Sequence, residues 1–135
     1  MDFSSATTIE DKMRCHTEFF CPTRAEFSTD VDAALGGLGR QPSPGELLAA
    51  TVASCMLSMV AYTGSRKGFE TGGISIQAAC GEGAQGIGSL YFDITVPMST
   101  TPEQRRFIEA AVANCPVGNS LHPDIPKHIS WHWAE

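Results

Sequence analysis

The chain has 135 residues, enough for one domain with a core of its own and too few for two comfortable ones. Its formal charge is -6, and its nine Lys and Arg are scattered, which excludes the basic face that a nucleic-acid binder presents. The opening stretch MDFSSATTIEDKMRCHTEFF has no basic start followed by an apolar run and a small-residue cleavage site, so no secretory signal is read and a cytoplasmic location is expected.

Residues 12–20 and 24–31 read as two strands separated by Cys21-Pro22-Thr23, which has turn character. Residues 33–44 carry Gly36, Gly37, Gly39, Pro42 and Pro44 and form a loop. A helix follows, with Ser43 as its N-cap, Pro44 as first helical residue and Glu46 three places after the cap, the pattern of a capping box. From Glu46 to about Arg66 the residues are apolar or small on nearly all sides, as in a helix buried all round. Residues 47–60 fall short of the roughly 20 residues that a membrane span needs and include Thr51, Ser54 and Ser58, so a core helix is expected and no membrane.

Gly68 and Gly72-Gly73 end that helix and its connection. Ile74, Ile76 and Ala78 then alternate with polar or small residues, 81–88 forms a turn, and Leu90, Phe92, Ile94 and Val96 alternate with Tyr91, Asp93 and Thr95. The two segments make an antiparallel hairpin. A second helix opens on the capping box of Thr101 and Gln104 and runs through EQRRFIEAAVANC. Its apolar face holds Phe107, Ile108, Ala111, Val112 and, in the last turn, Cys115; Pro116 stops it. Ile129, Trp131 and Trp133 alternate with His128, Ser130 and His132 in a closing strand.

This order implies a single α+β domain over 1–135 in which antiparallel sheet packs on helices. A helix apolar on all sides is hard to cover with so few elements, which implies a second copy of the chain, a homodimer.

Five cysteines, at 15, 21, 55, 80 and 115, disfavour a disulfide framework, and no two form a CxxC. Neither a metal nor a cofactor is expected from them. Cys55 taken singly is a small core residue. Cys115 is inward-facing too, and two inward thiols on two packed helices could meet. Thiol chemistry then supplies a mechanism in which a thiolate attacks a peroxide, becomes a sulfenic acid and is captured by the second thiol as a disulfide. Mid-helix placement in apolar surroundings gives Cys55 little help in ionising, so a neighbouring cation is required. His128 and His132 share one side of their strand without a third metal ligand. Trp131 and Trp133 read as core or dimer contacts, and Met56 and Met59 as core filling.

The motifs PSPGELLAATVASC and NCPVGNSLHPDI, with DAALGG ahead of them and RKG after the long helix, resemble the OsmC/Ohr family of thiol-dependent peroxidases, from about residue 10 to the end of the chain. The likeness implies the OsmC-like α+β fold, with two central helices in an intertwined homodimer. It also implies a peroxidatic Cys55, a resolving Cys115, organic hydroperoxide substrates and a dithiol reductant such as dihydrolipoyl groups. The family's glutamate ten places before the first cysteine is Gly45 here, with Glu46 next to it. For the family's supporting arginine the upstream candidates are Arg14, Arg24 and Arg40, of which Arg24 is preferred. The expected function is therefore an organic hydroperoxide peroxidase acting in oxidative stress. The alternative is a non-catalytic protein of the same fold that binds a hydrophobic ligand at the dimer interface. A hydrolase pairing Cys55 with a histidine is disfavoured, because no histidine can be tied to that helix.

Overall fold

The computed structural model describes residues 1–135, which form two compact units, Met1–Leu47 and Leu48–Glu135. The first holds an antiparallel sheet of β1 (Ser5–Asp11), β2 (Arg14–Phe19) and β3 (Glu26–Thr29), in that order. Strands were expected at 12–20 and 24–31, and β2 and β3 fill their middles. β1 was not foreseen, because SATTIED has no apolar alternation; every residue but Ser5 is exposed along it. Arg24 lies outside the strand expected for it. It sits in the turn before β3 with φ of 52°, and its N–H closes the turn on the Cys21 carbonyl at 2.9 Å.

After β3 the chain winds around the carboxylate of Asp30, which is buried and accepts from the N–H groups of Val31 (2.8 Å) and Leu38 (3.1 Å). Gly37 is required here, since a Cβ would stand 2.1 Å from the Val31 carbonyl oxygen. A short 3-10 turn, Ala33–Leu35, is capped by Asp32 within the expected loop.

Helix α1, Pro44–Lys67, begins where its cap signal places it, with the Glu46 N–H donating to Ser43 Oγ at 3.1 Å. It ends at Gly68, whose positive φ and N–H bond to the Gly64 carbonyl (2.8 Å) turn the chain away. Gly64 itself is fixed by close packing, because a Cβ there would meet Thr71 Cγ2 at 2.4 Å. With 24 residues and an 18-residue stretch of mean hydropathy 1.6, α1 is long and apolar enough to cross a membrane by length and composition, beyond what the 47–60 run suggested.

The second unit is built on a sheet of order β4-β5-β6, from β4 (Ser75–Gly83), β5 (Gly86–Val96) and β6 (Lys127–Trp133). The hairpin of β4 and β5 turns at 84–85 only. Much of the glycine-rich 81–88 stretch expected as a turn is paired strand, with a bulge between Gly81 and Glu82. β6 pairs with β5 in parallel, from Leu90 opposite Lys127 to Val96 opposite Trp133, so the sheet is mixed and not wholly antiparallel. Parallel pairing requires a crossover, and the two remaining helices supply it. These are α2 (Pro102–Ala113), capped by the reciprocal Thr101 and Gln104 bonds, and the short α3 (Pro116–Asn119).

One stripe of α1, namely Ala49, Val52, Ala53, Met56, Val60 and Gly64, is buried. It packs in one core with Leu90, Phe92, Ile94 and Val96 of β5 and with Ile108, Ala111 and Val112 of α2. The helix was expected to be hard to cover within one chain, and within the chain Ala50, Ser54, Ser58, Ala61 and Tyr62 are exposed. Phe92 is the largest side chain that is fully buried. Phe92→Ala should cost about 3–5 kcal/mol in a urea titration, because removing the ring leaves a cavity at the centre of the sheet.

Candidate thiol site

Cys115 was expected in the last turn of the second helix. It stands instead just beyond α2, as the N-cap of α3, with φ of -61° and ψ of 115°. An N-cap cysteine followed by proline repeats the pattern of Ser43-Pro44 and Thr101-Pro102, so Pro116 opens a helix as well as closing one. As a cap, the Cys115 sulfur accepts from the Gly118 N–H at 3.4 Å, and its S–H donates to the Val52 carbonyl of α1 at 3.8 Å. The side chain is 1% exposed.

Val52 and Cys55 lie three apart on α1 and therefore on one side of it. Cys55 is half-buried and packs against the core. The two thiols are brought near one another across the helices, close enough for each to influence the ionisation of the other. Burial pushes the Cys115 thiol above the ordinary range, and the neighbouring Cys55 thiol pushes the same way. The N–H groups of Gly118 and Val117 oppose them. The pair has what exchange chemistry requires: one half-exposed sulfur, one enclosed sulfur, and contact between them.

The supporting residues expected from sequence, Glu46 and Arg24, both belong to the first unit. Glu46 is exposed, and its N–H is bound at the start of α1. Arg24 pairs with Glu18 at 3.5 Å within the first unit, and Arg14 pairs with Glu10 at 3.5 Å. Cys21, in the turn between β2 and β3, is an exposed thiol lowered by a hydrogen bond with Thr23 Oγ1 (3.4 Å) and by neighbouring backbone N–H groups. On the outer side of the β4-β5-β6 sheet, His128 stacks on Tyr91 at 4.8 Å and His132 pairs with Asp93. On the inner side Trp131 and Trp133 stack at 4.8 Å, with Arg105 over Trp133.

Residues 37–130 match the family model described as OsmC-like protein. No protein of curated function matches the chain in sequence. Solved structures match over nearly its whole length. An osmotic stress induced and detoxification response protein from Psychrobacter arcticus has a TM-score of 0.91 at 23% identity, covering 98% of this chain and 97% of that one. An organic hydroperoxide resistance protein from Elizabethkingia anophelis has a TM-score of 0.77 at 22% identity, covering 99% and 97%. An OsmC-like protein from Mycoplasma pneumoniae has a TM-score of 0.81 at 10% identity, covering 100% and 99%. At such identities the likeness establishes the fold.

The raised Cys115 thiol carries a pH signature. A group whose folded value lies above its unfolded one contributes stability below the unfolded value, and that contribution fades as pH rises through the folded value. The wild-type urea midpoint should therefore fall as pH rises beyond the ordinary thiol range. Cys115→Ala should flatten that alkaline decline, whatever its offset at neutral pH.

Proposed function

Because the chain belongs to the OsmC-like protein family, we propose that it is a thiol peroxidase that reduces organic hydroperoxides, with Cys55 as the peroxidatic and Cys115 as the resolving cysteine. The observation that carries this reading is the contact between the two thiols, one half-exposed and one enclosed. The named function of the Elizabethkingia anophelis relative, organic hydroperoxide resistance, agrees with it.

In the first step the Cys55 thiolate attacks the distal peroxide oxygen. An S–O bond forms, the O–O bond breaks, and the alkoxide leaves as alcohol after taking a proton. In the second step Cys115, as thiolate, attacks the sulfenic sulfur of Cys55; an S–S bond forms and hydroxide leaves, becoming water. The sum is two thiols and one hydroperoxide giving a disulfide, an alcohol and water. A dithiol of the reducing cytoplasm, of the dihydrolipoyl kind, restores both thiols by exchange.

A homodimer belongs to this proposal. An open groove of ≈ 600 Å³ runs between Ala50, Ser54, Leu57 and Ala61 of α1 and Ile76 and Ala78 of β4. A second copy packed there would cover the small and apolar face that the chain leaves exposed. Light scattering on the eluting protein should give twice the mass of the chain, and a clean monomer mass would sink the dimer.

The peroxidase is tested with cumene hydroperoxide and peptide mass spectrometry. Wild type should lose two thiols to one disulfide between Cys55 and Cys115. Cys55→Ser should drop to the uncatalysed rate, and Cys115→Ser should leave Cys55 to gain two oxygens as sulfinic acid. Retention of both free thiols under excess oxidant would contradict the reading.

A further inference from the structure

Along β6 the residues that face inward are Lys127, Ile129, Trp131 and Trp133, each half-buried, while His128, Ser130 and His132 are exposed. Lys127 is thus a cation in a row that is otherwise aliphatic and aromatic. Lysine is rarely drawn inward without a partner. The ion pairs of the protein engage Arg14, His16, Arg24, His122 and His132, and none gives Lys127 a carboxylate.

The neighbour of Lys127 is the thiol site. Its backbone is pinned by the register opposite Leu90, whose N–H donates to the Pro126 carbonyl at 3.0 Å. Its side chain reaches Gly118, the residue whose N–H holds the Cys115 sulfur. A Cβ built on Gly118 would lie 3.2 Å from Lys127 Cε, 3.4 Å from Val52 Cγ1 and 3.5 Å from Cys115 Sγ. The lysine stem and the sulfur therefore flank a single gap about the size of a methyl group, and only glycine at 118 keeps it open. The ammonium is one bond beyond Cε.

We propose that Lys127 is a positioning residue of the thiol pair, whose charge eases the ionisation of Cys115 when it attacks an oxidised Cys55. The inference rests on the peroxidase reading for its purpose and on the geometry of Lys127, Gly118 and Cys115 for its substance. Each element around Cys115 has a distinct part in its ionisation. From α1 the facing titratable group is Cys55, which opposes it as a like charge; from β6 it is Lys127, which favours it. α3 offers only backbone N–H groups, and β5 places the apolar Leu90 beside Lys127. A buried resolving thiol next to another thiol is poorly disposed to ionise, and a nearby cation acts against that tendency.

The test is a carbon-13 NMR titration of the cysteine Cβ atoms in the full-length reduced protein, with the Cys115 resonance assigned by Cys115→Ser. Lys127→Met keeps the length of the stem and removes the charge, and Lys127→Gln is a second charge-removing variant. Both should raise the Cys115 midpoint by about one pH unit, the lower end of what an adjacent opposite charge produces. Lys127→Arg should leave it within a few tenths of wild type. In a single turnover with cumene hydroperoxide, disulfide closure near neutral pH should slow about tenfold in Lys127→Met, matching the lost thiolate fraction. An unchanged Cys115 midpoint in both charge-removing variants would overturn the role of Lys127. The titration needs no turnover, so a wild-type protein inert to hydroperoxide would refute the peroxidase while the midpoints still decide the lysine.

Discussion

The second unit depends on the burial of one stripe of α1 against the inner face of β5. Val52, Met56 and Val60 meet Leu90, Phe92, Ile94 and Val96 with no polar group to satisfy, at roughly 1.5–3 kcal/mol for each large side chain removed from water. Once that contact is made, the position of α2 follows. It presents Ile108, Ala111 and Val112 to the same core, and the chain leaves it at Asn114 aimed beneath α1. Cys115 therefore arrives at the Val52 carbonyl through hydrophobic packing, and its hydrogen bonds then lock a position already chosen.

The break between α2 and α3 gives that thiol its character. Had α2 continued, Cys115 would have been one more apolar side chain on a helix face. As an N-cap its sulfur is an acceptor, bound to the Gly118 N–H, with a lysine stem bordering the same gap beside the glycine. A sulfur that accepts an N–H bond is partly prepared for negative charge, and this separates it from a packing cysteine at equal burial.

Strong local signals made much of this legible in the sequence. Pro44 and Thr101-Pro102 mark two helix starts that the structure reproduces, and the alternation of Leu90, Phe92, Ile94 and Val96 marks the central strand. β1 was illegible because its exposed SATTIED segment has no buried face to impose a period. The parallel sense of β6 was illegible because alternation is the same in either direction, and only the crossover decides it. At the site, the two cysteines could be singled out, but their contact could not, since it is made by packing between distant helices. The N-cap role of Cys115 was hidden by reading Pro116 solely as a stop. Lys127 was hidden by its setting: one charged residue at the edge of an apolar alternation reads as the beginning of a strand.

The parallel pairing of β5 and β6 also orders events in time. The residues that pair lie on either side of a crossover containing α2, Cys115 and α3, and contacts that close such long spans form slowly, after the local hairpin and helices. Until β6 docks, Gly118 has no lysine beside it and the crossover is tethered at one end only.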